Sequence, residues 1–426
     1  MESIKVALLG FGVVGSGVFN ILQDNKEKIE SHIQKRIEIK KILVRDIEKA
    51  RGANAPKEML TKDINDIVND PEIDMVVELM GGIGKAYEYM KIAIENKKHI
   101  VTANKALIAT HGDEIYKLAV ENGVQIRYEA SVGGGIPIIN TLTQSLAANN
   151  VDEILGVING TTNFILTQMD EQGMDFDDAV KLAQDSGFAE ADPTSDIEGE
   201  DVAFKLSILM SVAFGIKVPP HKIPREGITK ISSKDIEFAN QLGYKVKLVA
   251  AAKKKGDDLE FHVQPSFLPI DHPLASIKNE FNAVFIKGNA VGELLLHGKG
   301  AGSTPTGSAV LGDMLEIAKI IGTNYKPGAP LVHNGGDLNL IGEGVSPYYV
   351  HLHVEDKPGV LGKITSAFGK HNVSLKSVIQ RSRGEKTVPL IFITYDTPRK
   401  DLDDAIEEIK NTDAVIRVES ILRVES

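Results

Sequence analysis

Ile4-Lys5-Val6-Ala7-Leu8-Leu9-Gly10-Phe11-Gly12-Val13-Val14-Gly15 is a short apolar run with β-branched members that stops at a glycine-rich turn. A helical pattern begins at about Val13. Gly10 to Gly15 matches G-x-G-x-x-G between a strand and a helix. The first glycine permits a tight turn, the second lets a pyrophosphate approach the backbone, and the third lets helix and strand pack closely. Free amides at the helix start face the anion. In this context Gly10, Phe11, Gly12, Val13, Val14 and Gly15 are expected to bind a dinucleotide.

Further strand signals follow near Ile37 to Val44, Met75 to Leu79, His99 to Ala103 and Val124 to Tyr128, with helical patterns between them. This alternation predicts an α/β fold with a Rossmann-type, doubly wound parallel sheet over residues 1–130. The second strand ends in Val44-Arg45-Asp46. An acid there suits the ribose 2′-hydroxyl of NAD, and an arginine suits the 2′-phosphate of NADP. Both are present, and Arg45, coming first, tilts the expectation toward NADP. A solvated ion pair is the other reading of the two. Thr102-Ala103-Asn104-Lys105 lies at the carboxyl end of the fourth strand, where ligands of open α/β sheets bind. Thr102 and Lys105 are therefore candidates for contact with cofactor or substrate, although Lys105 also reads as a surface lysine opening the next helix.

Residues 131–302 read as an α+β domain, with a helix at Glu200 to Phe214 and strands near Val246 to Ala252 and Leu259 to Val263. A helix over 303–322 returns to complete the first domain. Residues 323–347 carry Pro, Gly and Asn and read as a linker. From 348 to 426 the order βαββαβ predicts a ferredoxin-like module.

The 426-residue length calls for more than one core. Cysteine is absent, which excludes disulfides, cysteine nucleophiles and thiolate metal sites. A formal charge of −11 argues against nucleic acid as the main partner. No apolar run approaches the roughly 18 residues needed to span a bilayer, so no membrane partner is expected. No signal peptide is read at Met1-Glu2-Ser3-Ile4-Lys5, and a cytoplasmic location is expected.

One stretch is denser in chemistry than the rest. Between Gly187 and Lys205 six acids (Glu190, Asp192, Asp196, Glu198, Glu200, Asp201) precede one lysine. Asp201 and Lys205, four apart, share a helix face. The helix continues through Leu206, Ile208, Leu209 and Met210, which points to burial. Burial moves a lysine pKa toward neutrality, and carboxylates hold the side chain in place, so Lys205 can carry a proton. An acidic capping region with one helical salt pair fits the same spacing.

This run, with Gly187-Phe188, Glu190, Asp192-Pro193, Asp196-Ile197 and Lys205, resembles the homoserine dehydrogenase signature. Glu78-Leu79-Met80-Gly81-Gly82, Tyr128 to Pro137 and Asn159-Gly160-Thr161-Thr162-Asn163 are also similar to that family, over roughly residues 1–322. The resemblance implies reversible oxidation of L-homoserine to L-aspartate 4-semialdehyde with NAD or NADP, in threonine, methionine and isoleucine biosynthesis. It implies Lys205 as proton carrier and Lys105 at cofactor and reacting oxygen. Glu190 and Asp201 would hold the substrate, and Gly187 and Gly302 would approach the cofactor. It also implies a monovalent cation, sodium, at Glu129 with carbonyls of Val132, Gly134 and Ile136. A Gly-rich turn without an ion fits those residues as well.

The C-terminal module resembles an ACT domain at Asp356-Lys357-Pro358-Gly359-Val360-Leu361 and Asn372. That resemblance implies feedback control by an amino acid, L-threonine first, at Asp356, Gly359, Val360, Leu361 and Asn372. A dimerisation module without a ligand is the alternative. A homodimer or homotetramer is expected, with sheets paired across a two-fold axis. Two other functions fit parts of the chain: another NAD(P)-linked dehydrogenase of amino-acid metabolism, and a non-catalytic sensor of dinucleotide and amino acid. The Gly187 to Lys205 run speaks against the first, and the presence of both lysines against the second.

Overall fold

The computed structural model describes residues 2–47, 56–323, 338–380, 386–413 and 415–425. The chain divides into two compact units. One comprises Met1–Val151, Phe204–Lys222 and Asn282–Asp337, and the other Asp152–Ala203, Ile223–Phe281 and Leu338–Ser426.

In the first unit, strands β1 (Ser3–Leu9), β2 (Arg36–Leu43), β3 (Leu60–Thr61), β4 (Ile73–Glu78), β5 (His99–Thr102) and β6 (Ile126–Arg127) form a parallel sheet. Their order is β3-β2-β1-β4-β5-β6. Strands of such sheets are covered on both faces and so read as continuous apolar runs. Val6, Leu8, Val76 and Val77 are fully buried accordingly. The order reverses between β1 and β4, and this switch point places a crevice at the end of β1, where the glycine turn lies. The fifth expected strand shrinks to Ile126–Arg127, because the chain leaves the sheet at Tyr128 and enters a 3-10 turn, Glu129–Ser131, that buries Glu129.

The helix Ser303–Ile320 joins this unit, as expected for 303–322. It packs on the helix Val13–Asp24 through Gly17 and Gly307. A Cβ at Gly17 would overlap the backbone carbonyl of Ser303, so only glycine allows this approach.

Strands β7 (Val151–Val157), β8 (Tyr244–Lys255) and β9 (Asp258–Pro269) come next, then a hairpin of β10 (Phe281–Gly288) and β11 (Gly292–Lys299). Within the second unit β7, β8 and β9 are antiparallel neighbours. Of the expected linker 323–347, residues 324–337 lie outside the described residues. The rest is not a plain loop. It carries β12 (Asn339–Gly342), parallel to β9, and β13 (Val345–Ser346), paired with β17 (Thr397–Pro398). Backbone groups left open along β9 and β17 offer these short segments their hydrogen bonds.

The C-terminal module has β14 (Tyr348–Glu355), β15 (Leu375–Gln380), β16 (Thr387–Thr394) and β18 (Val415–Val424), with helices Val360–Lys370 and Arg399–Lys410. Its antiparallel order is β18-β14-β16-β15, the expected ferredoxin-like arrangement. Ile364 and Phe368 of one helix and Leu402, Ile406 and Ile409 of the other bury one sheet face. The end of β18 pairs in parallel with β9, Arg423 opposite Ser266 and Val424 opposite Phe267, so one sheet runs from β7 to β15.

Two buried polar clusters secure that junction. Asp235, on the helix Ser233–Gln241, accepts hydrogen bonds from Tyr349 (3.0 Å) and Ser420 (2.6 Å) and meets His351 Nδ1 at 2.8 Å. Burial pushes its carboxyl up, but His351, Ser232 and Ser420 hold it below its ordinary value. Glu425 lies between Lys253 (2.7 Å), Arg423 (3.1 Å) and His262 (3.2 Å). Burial opposes its charge too, and these neighbours keep it well below the usual carboxylate range.

Overpacking a tight contact costs about 1–3 kcal/mol. Gly17→Val is expected to lose at least that much unfolding free energy, measured by chemical denaturation. An unchanged midpoint would show that the two helices do not need this approach.

Candidate active site

In the glycine turn, Gly10 and Gly15 are close-packed and Gly12 is open. Gly10 has φ +103°, and a Cβ there would lie 2.8 Å from the Leu79 carbonyl oxygen. A Cβ at Gly15 would lie 2.5 Å from Gly10 O. At Gly12 nothing lies within 4 Å, leaving an open cradle at the start of the helix Val13–Asp24. Unpaired helix-start amides and this open backbone fit a pyrophosphate. Phe11 packs edge-on against Phe19, whereas Val13 is exposed. Ser303 Oγ donates to Val13 O at 2.8 Å, which brings Gly302 (φ +117°) beside the turn. Arg45 is exposed just after β2, with Asp46 half-buried next to it.

Lys105 opens the helix Lys105–Asn122, and a relay of buried polar groups sets that opening. Glu78 is fully buried. It accepts from Met80 N (2.8 Å) and from the Thr102 hydroxyl (2.6 Å). Burial raises its carboxyl pKa, and these donors oppose the rise. Thr102 Oγ1 in turn accepts from Asn104 N (3.0 Å). Asn104 caps the helix by accepting from Leu107 N (3.1 Å) and donates to Gly82 O (2.6 Å). The Thr102 hydroxyl is thus committed to the protein, so its expected cofactor contact does not come from its proton. Lys105 is half-buried.

Lys205 lies on the helix Glu200–Phe214, matching the expected span, with Asp201 one turn earlier. Both are buried, and so are Leu206, Ile208, Leu209 and Met210.

In the second unit the signature carboxylates meet a residue that spacing did not single out. Asn159, buried, caps the helix Gly160–Gln172 by accepting from Thr162 N (2.8 Å). Its amide group donates to Asp196 Oδ1 (2.7 Å) and to Asp201 Oδ2 (2.9 Å). Thr161 donates to Phe188 O (2.7 Å), tying in the Gly187 loop. Gly187 (φ +78°) and Glu190 are exposed, so Glu190 stands outside this buried group. The available signal was Asn159 itself, an N-cap residue type before a helical run. Asn159 stood in the sequence reading only as part of the Asn159 to Asn163 resemblance, and Lys247 was missed altogether. The alternation of Lys245 and Lys247 along β8 reads as a solvent face, yet Lys247 is buried. It donates to Asn163 Oδ1 (2.8 Å) and to Ile277 O, and burial lowers its pKa to about 8.

The loop from Glu129 to Ile136 is fixed by its acid. Glu129 Oε1 accepts from Ile139 N and Oε2 from Asn140 N, both at 2.7 Å. Both carboxylate oxygens therefore brace the loop, which differs from a carboxylate turned wholly to an ion. The Val132 and Ile136 side chains are buried, and the Ile136 carbonyl already accepts from Ile138 N at 2.8 Å. Among the described residues no cluster of three or more His, Cys, Asp or Glu could hold a metal. Glu129 N donates to Asp313 Oδ2 at 2.7 Å, and burial pushes the Asp313 carboxyl up to about 8.

In the C-terminal module, Gly359 has φ +92° and caps the helix Val360–Lys370, and Asn372 has φ +59°. Asp356 accepts from Gln380 Nε2 at 3.2 Å. Val360 points into the core and Leu361 outward, so the five expected regulatory residues do not share one surface.

Asn159→Ala removes a helix cap and a donor to a buried carboxylate, each worth about 1–2 kcal/mol. A lower thermal midpoint is expected, with Asn159→Ser, which keeps the cap alone, in between. A midpoint for Asn159→Ser equal to the parent's would remove the Asp201 bond from the account, and equal midpoints for the two variants would remove the cap. Asp313 makes a pH-dependent contribution. Its raised pKa means that it binds its proton more tightly when folded. Its stabilising share is complete below about 3.8 and lost as pH rises through about 8. Between about pH 5 and about pH 9, Asp313→Asn should lose less stability than the parent chain. Parallel pH profiles would refute this.

Comparison with known proteins agrees with this layout. The sequence model of the homoserine dehydrogenase family matches residues 137–315, that of the homoserine dehydrogenase NAD-binding domain residues 10–129, and that of the ACT domain residues 348–414. The chain is 39% identical to the homoserine dehydrogenase of Bacillus subtilis, covering 100% of this chain and 99% of that protein. It is 42% identical to that of Synechocystis, over 99% of each. The crystal structure of a homoserine dehydrogenase from Thiobacillus denitrificans aligns with a TM-score of 0.94 at 38% identity, over 100% of this chain and 99% of that one. A hyperthermophilic archaeal homoserine dehydrogenase in complex with NADPH aligns at 0.64 and 28% identity, over 76% of this chain and 100% of that one. The chain belongs to the homoserine dehydrogenase family and is an oxidoreductase with a nicotinamide-nucleotide-binding domain and a C-terminal ACT domain.

Proposed function

We propose that this enzyme interconverts L-homoserine and L-aspartate 4-semialdehyde in the biosynthesis of threonine, methionine and isoleucine, with NADP favoured over NAD and with feedback control through the ACT domain. The observation that carries the reading is the Asn159 amide, which binds Asp196 and Asp201 together and so fixes the start of the helix that bears Lys205.

A nicotinamide nucleotide held at the Gly10 to Gly15 turn would supply a hydride acceptor for the terminal carbon of homoserine and a hydride donor for the aldehyde. The residues of the chain handle the proton and the charge. Lys205 accepts the hydroxyl proton in oxidation and donates it to the carbonyl oxygen in reduction. Its burial supports this role, because the side chain is held in one place out of bulk water. Lys105, at the carboxyl end of β5, polarises the reacting oxygen. Asp201 holds the substrate ammonium, and Glu190 joins it from the exposed Gly187 loop. The open backbone at Gly12 receives the pyrophosphate, with Gly302 and Gly187 near the cofactor, and exposed Arg45 meets a 2′-phosphate.

Carbonyls of Val132, Gly134 and Ile136 would hold a sodium ion, with the Glu129 carboxylate shaping the loop. Hard oxygen donors suit an alkali cation. L-Threonine is the first candidate effector. A homodimer or homotetramer is the proposed assembly.

The test follows reduced cofactor with homoserine and either NADP or NAD, in sodium and in potassium buffer. Turnover that requires homoserine and is faster with NADP is expected. Removing a general acid-base group costs about 100- to 10,000-fold, so Lys205→Ala should lose kcat on that scale and keep cofactor affinity. Near-normal kcat in Lys205→Ala would remove it from the mechanism, and no turnover with either cofactor would overturn the substrate.

A further inference from the structure

Glu78 holds the middle of a row that crosses the parallel sheet. Its register partners are Leu9 at the end of β1 and Thr102 at the end of β5. Gly10, which opens the pyrophosphate turn, follows Leu9, and Lys105 stands three residues after Thr102. Neighbouring strands lie about 4.8 Å apart, so the glycine turn and Lys105 flank the end of β4 from opposite sides. A dinucleotide with its pyrophosphate on the turn and its reacting carbon beside Lys105 has to cross the stretch from Glu78 to Gly82. The backbone leaves room for that passage. Leu79 N donates to Leu9 O at 2.8 Å, which fixes the stretch beside the turn. Gly81 and Gly82 have φ +72° and +73°, and a Cβ on either would meet nothing within 4 Å. Asn104 Nδ2 donates to Gly82 O at 2.6 Å, which ties the same loop to the start of the Lys105 helix.

The Glu78 carboxylate beside this loop has no part in the proton chemistry assigned to Lys205. It is fully buried, and a neutral donor meets each oxygen, Met80 N at 2.8 Å and the Thr102 hydroxyl at 2.6 Å. A donor on each oxygen is the pattern of an ionised carboxylate, which only accepts. Thr102 Oγ1 already accepts from Asn104 N at 3.0 Å, so its own proton is directed at Glu78. Neutral hydrogen bonds support a buried charge but do not neutralise it, and burial accordingly raises the Glu78 pKa.

We propose that Glu78 sets which oxidation state of the cofactor this enzyme prefers, by favouring the oxidised form. The two forms differ in charge at one place: the oxidised nicotinamide ring carries a positive charge and the reduced ring is neutral. Pyrophosphate, riboses and adenine are the same in both, so contacts to them cancel in the comparison. A fixed negative charge at the end of β4, between the glycine turn and Lys105, acts on the difference that remains. Burial strengthens its effect, because charges out of water interact through a lower dielectric and are little screened by salt. A carboxylate that only braced its loop would affect both forms alike.

The inference rests on the proposed placement of the reacting oxygen at Lys105. The test is calorimetric measurement of Kd for oxidised and reduced cofactor on the full-length protein without substrate, for NADP+ and NADPH and for NAD+ and NADH. Glu78→Gln keeps the shape and removes the charge, whereas Glu78→Asp keeps the charge. In Glu78→Gln the ratio of oxidised to reduced Kd should rise about fivefold or more, chiefly through weaker binding of the oxidised form. The shift should persist in about 0.5 M salt, because the charge is buried. Glu78→Asp should stay close to the parent ratio. Equal weakening of both forms in Glu78→Gln assigns Glu78 to bracing alone and overturns the inference. If that variant does not fold, Thr102→Val decides. Its carboxylate has lost a donor and takes up a proton more easily, so the ratio rises if the charge acts on the cofactor and stays at the parent value if it does not. Homoserine turnover is recorded alongside. A shifted ratio in a protein that turns over no homoserine strikes the substrate reading and leaves the inference standing, and turnover with an unshifted ratio does the reverse.

Discussion

Glu78 carries a carboxylate that no water reaches, and its two oxygens are met by Met80 N and the Thr102 hydroxyl. A buried polar group without partners costs several kcal/mol, so the chain around it has little freedom. Thr102 must turn inward, Asn104 must cap, and Lys105 must begin its helix where it does. The same constraint shapes two other loops. Glu129 collects the amides of Ile139 and Asn140, and Asp196 and Asp201 share the amide of Asn159. In each case a buried acid fixes a stretch of backbone near a residue assigned to binding or proton transfer. Rigid placement of this kind is what a site needs if reacting groups are to meet in one geometry.

The ACT domain is joined to its unit by more than chain connectivity. Its sheet continues into β9 through Arg423 and Val424, and Asp235 and Glu425 fill the seam with buried charge. Buried ion pairs add little net stability, since desolvation offsets most of their attraction. They do penalise any arrangement that leaves one partner alone. The seam therefore has a defined register.

Near-complete coverage of both chains by relatives at about two-fifths identity means that the three sequence blocks occur together in those proteins. This removes the reading as a different dehydrogenase. It also weakens the sensor reading, because Lys105 and Lys205 stand in a chain whose catalytic block matches the family from 137 to 315.

By itself the sequence determined what local pattern can encode. Glycine spacing marked the turn at Gly10 to Gly15. Strand-helix alternation gave the parallel sheet, the span of the helix Glu200–Phe214 was read correctly, and the order of six elements gave the ferredoxin-like module. The roles of Glu190, Asp201 and the cation loop came from resemblance alone. Tertiary structure decided the rest. Asn159 meets Asp201 across 42 positions, Glu129 meets Asp313 across 184, and Ser420 meets Asp235 across 185. Lys247 sits where an alternating strand suggests solvent, because β8 is covered on both faces and Asn163 and Ile277 receive its ammonium. Periodicity reports which face of its own element a residue occupies. Which distant group satisfies a buried donor or acceptor depends on how elements pack, and no local pattern carries that information.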